Sequence, residues 1–98
     1  MGTHPKIMEV HPCGSLKLLI RFDNGVLKEY DCAPLLSRSG FRLLSDPGFF
    51  KSVSRDIGGY GISWNDDIDL SEYELWHNGK QIGQPVTIDR HKVGETGI

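Results

Sequence analysis

Cysteine is scarce in this 98-residue chain: Cys13 and Cys32 are its two, and they are not spaced as Cys-x-x-Cys. Two thiols cannot build a disulfide framework, so both are expected free, in a reducing compartment. Long hydrophobic runs are missing as well. No stretch nears the roughly 18 apolar residues of a membrane-spanning helix. The start, Met1-Gly2-Thr3-His4-Pro5-Lys6, has no apolar core of a secretion signal. A cytoplasmic location is therefore expected, with no membrane partner. Concentrated positive charge is also lacking, since 11 Lys/Arg stand against 13 Asp/Glu and the pI is 6.0. A protein that neutralises many phosphates needs a basic face, so nucleic acid is not the expected partner. Arg38, Arg42, Lys51 and Arg55, scattered through the middle, read as a solvated surface.

What is present fits one small domain, 38% hydrophobic and 24% charged. A domain of this size buries only about 60 to 65% of the surface its unfolded chain exposes, so nearly every large apolar side chain is needed in the core. The acidic charge is unevenly placed. Residues 1–62 hold eight Lys/Arg and six Asp/Glu, whereas residues 63–76 hold five acids and no base.

Ile7, Glu9 and Val10 form a short β-prone run expected to end at His11-Pro12, where proline removes a ladder donor. Leu16, Leu18, Ile20 and Phe22 then alternate with Lys17 and Arg21 at period two, the clearest strand in the sequence. Asp23-Asn24-Gly25 offers two hairpin registers. A two-residue Asn-Gly turn would set Ile20 against Glu29 and Leu18 against Asp31, with carboxylates on the apolar face. A three-residue loop with Gly25 left-handed pairs Phe22 with Val26, Leu18 with Tyr30 and Leu16 with Cys32. It leaves Ile20 beside the Lys28 stem and sets Lys17 opposite Asp31. The second register is preferred.

Ala33-Pro34-Leu35-Leu36 opens a short helical segment, and Phe41 and Leu44 follow as core candidates. Ser45-Asp46-Pro47 is a helix start, with Asp46 as cap and not as a catalytic acid, and Phe49 or Phe50 facing inward over residues 47–52. Gly58-Gly59 suits a tight turn that aligns Ile57 with Tyr60, Arg55 with Ile62 and Val53 with Trp64. From Asn78 the chain turns polar. The domain is placed at 1–79; residues 80–98 are read as a polar tail, with Pro85–Ile88 as an edge strand and a mobile end.

The acidic stretch 64–76, WNDDIDLSEYELW, is the one concentration of chemistry-bearing groups. Ser71 and Glu74 have the spacing of a capping box, Leu70 and Leu75 that of a hydrophobic staple, and Glu72 meets the positive end of the helix dipole. Asn78-Gly79 reads as a left-handed helix ending. Asp66, Asp67 and Asp69 remain. They lack the alternating oxygens, sixth-position glycine and twelfth-position glutamate of a calcium loop. Asp66 and Asp67 are read as turn formers bonding nearby amides, and Asp69 as an outward cap or ion-pair partner.

Other chemistries find little support. His4, His11, His77 and His91 show no His-Glu-x-x-His, so zinc has no ligand set. His11 and Cys13 lie two apart with nothing to orient a base, and Gly58-Gly59-Tyr60-Gly61 lacks the lysine of a phosphate loop. No catalytic residue, metal or cofactor is assigned.

The pattern as a whole resembles the small bacterial domain-of-unknown-function family numbered 2442. The resemblance rests on Pro5-x-Ile7-x-x-Val10, Leu18-x-Ile20-x-Phe22-x-Asn24-Gly25 and Tyr30-Asp31. It continues through Leu35-Leu36, Phe41-x-x-Leu44-x-Asp46-Pro47-x-x-Phe50 and Val53 to Ile62-x-Trp64-x-x-x-Ile68-Asp69-Leu70 and Glu74-Leu75-Trp76. It covers residues 5 to about 79. It implies an α+β domain with a small antiparallel sheet of two hairpins plus an N-terminal strand, and short helices between the hairpins and after the last strand. Some relatives carry a following helix-turn-helix domain, and others are associated with toxin-like neighbours. No second helical pattern follows residue 79 here, so no direct DNA role is expected.

The leading expectation is a non-enzymatic, antitoxin-like interaction or regulatory module. It would contact another, basic protein through Asp66, Asp67 and Asp69, and a homo-oligomer is also compatible with the sequence. The alternative is a small metal-dependent or acid/base enzyme using the same three carboxylates.

Overall fold

The computed structural model describes residues 4–83, and the structural statements below concern those residues. Seven strands and two α-helices alternate with three 3-10 turns, so the chain is α+β. The expected single sheet is instead two. A four-stranded antiparallel sheet has the order β1-β2-β3-β7, with β1 Ile7–Cys13, β2 Lys17–Phe22, β3 Leu27–Asp31 and β7 Lys80–Gly83. A three-stranded sheet contains β4 Ser54–Arg55, β5 Gly61–Ser63 and β6 Asp69–Ser71. Where β4 passes β1, β1 bulges between Ile7 and Glu9, and Arg55 donates a guanidinium hydrogen bond to the Ile7 carbonyl. A side chain closes the seam there, and the ladder does not continue across it.

β1 runs through His11-Pro12 to Cys13, beyond its expected end. It is the outer strand of its sheet, where a missing N–H costs no ladder bond on the open side. The β2–β3 hairpin has the expected register: Leu18 faces Tyr30, Ile20 faces Lys28 and Lys17 faces Asp31. Phe22 donates to the Val26 carbonyl at 2.9 Å, and Gly25 sits at φ 88°, the bulge conformation that glycine adopts without a Cβ clash. Leu18, Ile20 and Phe22 are buried while Lys17 and Arg21 are exposed, as period two requires.

Residues 33–45 form two 3-10 segments, Ala33–Ser37 and Ser39–Ser45, which bury Leu35 and Leu44. Asp46 then caps α1, Pro47–Phe50, accepting from the Gly48 amide at 3.3 Å, and Phe50 is the phenylalanine that turns inward. The tight turn expected at Gly58-Gly59 is not formed. Arg55 does face Ile62, but Ile57–Gly59 makes a 3-10 turn closed by Gly59 donating to the Asp56 carbonyl at 2.9 Å, and Asp56 donates across the connection to the Gly61 carbonyl at 2.9 Å. Ile57 is 98% exposed and does not face Tyr60. The cause is tertiary: Gly59 sits at φ 76° pressed against β1, where a Cβ would lie 2.4 Å from the Ile7 carbonyl oxygen.

α2, Glu72–Asn78, follows β6 directly and buries Leu75, with Trp76 packed edge-on to Phe22 at 4.9 Å. The left-handed ending read into Asn78-Gly79 is absent, because Gly79 is extended at φ −76°. Its glycine answers a close approach instead, since a Cβ would meet the Leu75 carbonyl at 2.5 Å. β7 then pairs with β3, Glu29 facing Lys80, so the sheet runs past the expected boundary at 79. The edge strand expected at Pro85–Ile88 lies outside the described residues. Both sheets and the helical insert contribute to one core, from Ile7 and Leu18 to Ile62 and Leu75.

Candidate functional site

Trp64 anchors the acidic loop. Its indole N–H donates to the Phe50 carbonyl at 2.9 Å in the core, and its backbone N–H donates to the Ile68 carbonyl at 2.9 Å, closing the β5–β6 connection. The turn former inside that loop is Asn65. Its Oδ1 accepts from the amides of Asp67 and Ile68, at 2.9 and 2.8 Å. This corrects the turn-making role read into Asp66 and Asp67: a neutral amide oxygen already fills both donors. The Asp66, Asp67 and Asp69 carboxylates are left exposed, and among the described residues none of them joins an ion pair or accepts a hydrogen bond from a side chain. Asp69 faces outward between buried Ile68 and Leu70.

The helix start is half the expected box. Ser71 accepts from the Glu74 amide at 3.1 Å, but the Glu74 carboxylate turns away and takes the Tyr30 hydroxyl at 2.7 Å. That bond, the nearby charge and above all burial push the Tyr30 phenol well above its ordinary range. Tyr30 and Glu74 line a shallow polar concavity of about 330 Å³ with Asp31, Arg38 and Asn78.

Glu72 is the buried charged residue of the core, 8% exposed. Its Oε2 lies 3.0 Å from His4 Nε2 and 3.3 Å from Lys6 Nζ, tying the N-terminal segment to α2. Tyr73 and His77 stack at 4.0 Å beside His4, and the Lys6 ammonium lies 4.5 Å from the centre of the Tyr60 ring. The sequence carried a signal for this: Glu72, Leu75 and Trp76 stand at i, i+3 and i+4, so Glu72 shares the inward face. Burial of a carboxylate without partners is costly, and His4 and Lys6, just before β1, supply them.

Both cysteines are free thiols. Cys32 is buried, and burial with the Asp31 charge beside it pushes its thiol up to about 12, so it is not a nucleophile near neutral pH. Among the described residues no three His, Cys, Asp or Glu side chains are placed to share a metal ion. No helix among them is long and apolar enough to cross a membrane.

A family model, the protein of unknown function family DUF2442, matches residues 7–81. The chain belongs to that family. No curated protein and no solved structure matches it.

Proposed function

We propose that the chain is a non-enzymatic, antitoxin-like regulatory module that binds a basic protein through the acidic β5–β6 loop. One observation carries this reading: Asp66, Asp67 and Asp69 are exposed and take no cation from the described residues, on a loop held at both ends. A loop already fixed by Asn65 and Trp64 loses little conformational freedom when a partner docks, so more of the contact energy appears as affinity. Three carboxylates also steer a basic surface toward the loop and repel an acidic one.

The reading is tested by purifying the tagged chain from its native cell across a salt series. Interactions at this loop span the Debye length and weaken between about 0.05 and 0.5 M salt. The expected result is a stoichiometric partner whose retention falls over that range. A second copy of the chain taking the partner's place would appear as a salt-sensitive dimer on a sizing column. A monomer with no retained partner at every salt concentration contradicts the proposal.

A further inference from the structure

A second concavity lies on another part of the molecule, between the β1–β2 turn and α1. It measures about 160 Å³. Leu16, Leu44, Pro47 and Phe50 supply an apolar lining, beside Ser15, Ser45 and Lys51. Leu44 and Phe50 are themselves core residues, so the floor of the cavity is rigid. An enclosed apolar cavity of about 150 Å³ accepts one benzene ring, and this one, open on the Ser45 and Lys51 side, is of a size for a single ring. Lys51 is the one charged residue in the lining and pairs with no carboxylate among the described residues, which sets its sign. Ser45 already donates its hydroxyl hydrogen to the Arg42 carbonyl at 2.9 Å, so the ammonium is the free donor on that side.

The wall opposite α1 is strained. Leu16 sits at φ 60°, a left-handed conformation that is unfavourable for a non-glycine residue. Its carbonyl is held there by the Cys32 amide at 2.8 Å. Relaxing Leu16 to an ordinary strand conformation would move its side chain off the cavity wall. Strain of this kind persists where the surroundings over-determine it, and it gathers at binding sites.

We propose that this cavity binds a small aromatic carboxylate of the benzoate class, its ring against Phe50 and Leu44 and its carboxylate at the Lys51 ammonium. No carboxylate of the acidic loop lines this cavity, and the proposal does not depend on the partner reading.

The test is a heteronuclear NMR titration of the whole chain with benzoate, and with benzamide as the neutral ring of the same size. Benzoate is expected to shift the Leu16, Leu44 and Phe50 resonances saturably, with benzamide several-fold weaker. Lys51→Gln removes the charge and keeps a shorter, neutral polar side chain; an exposed pair contributes up to about 1 kcal/mol, so benzoate should weaken by up to about five-fold while benzamide is nearly unmoved. Ser45→Trp fills the mouth and should abolish both. Lys51 and Ser45 are exposed, so the fold should survive both substitutions. If Ser45→Trp unfolds, Lys51→Gln with the benzamide comparison decides alone. No saturable shift at millimolar benzoate overturns the proposal, as does equal binding of benzamide. Tighter binding of a peptide ending in a free phenylalanine would move the site to a chain terminus and overturn the free-acid assignment.

Discussion

Single side chains carry more of this structure than their types suggest. Ser71 fills one orphan amide at the start of α2, and Ser71→Ala should cost about 1 kcal/mol, read as a lower urea midpoint. Tyr30→Phe leaves the Glu74 carboxylate without its donor, and a loss of about 1 to 2 kcal/mol is expected in the same assay. Cys32 gives a pH signature. Its folded pKa is raised to about 12 from an ordinary 9.0, so above pH 9 the unfolded chain sheds a proton that the folded chain keeps. Stability is then full below pH 9 and falls as pH rises from there, and Cys32→Ala should flatten that alkaline decline. Native protein at pH 8 should accept one thiol label, on half-buried Cys13, and two after denaturation. One assignment made from sequence fails at this scale: Asp66 and Asp67 are not the turn formers, because Asn65 one residue earlier reaches both amides.

At the level of elements, local rules succeed where the relevant contacts are local. The β2–β3 register follows from period-two arithmetic on eleven or so residues, and the α1 and α2 caps follow from Asp46 and Ser71 with their own following amides. The Gly58-Gly59 connection fails the same treatment, since its shape is set by Ile7, some fifty positions earlier. The N-terminal tie of His4 and Lys6 to Glu72 has the same long-range origin. Two glycines separate these cases experimentally. Gly59→Ala must place a Cβ 2.4 Å from the Ile7 carbonyl at an unfavourable φ, and should destabilise by about 2 kcal/mol or more. Gly48→Ala, in the first turn of α1 with its nearest neighbour at 3.9 Å, should stabilise by about 0.5 kcal/mol. Thermal denaturation of the two variants beside the parent checks both signs.

On the scale of the whole molecule, two small sheets and a helical insert close over one core and leave the acidic loop at the surface, pinned by Trp64 and Asn65. The α+β class could be read from the hydrophobic pattern, and the family from the resemblance of motifs such as Phe41-x-x-Leu44-x-Asp46-Pro47; the division into two sheets could not, because it turns on the β1 bulge and on Arg55 reaching Ile7. The acidic loop was legible as a charge concentration, and that it takes no cation from the described residues needed the fold. The most direct test of the partner-binding account is capture of native-cell proteins on the parent chain and on an Asp66→Asn, Asp67→Asn, Asp69→Asn variant, compared by quantitative mass spectrometry. These are exposed side chains, so the variant should stay folded and melt within about 10 °C of the parent, surface changes being worth within about 0.5 kcal/mol each. The account predicts that the salt-sensitive partner falls at least about ten-fold on the variant, three rim charges together being worth more than 1.4 kcal/mol. Equal recovery of the same partner on both chains would contradict it.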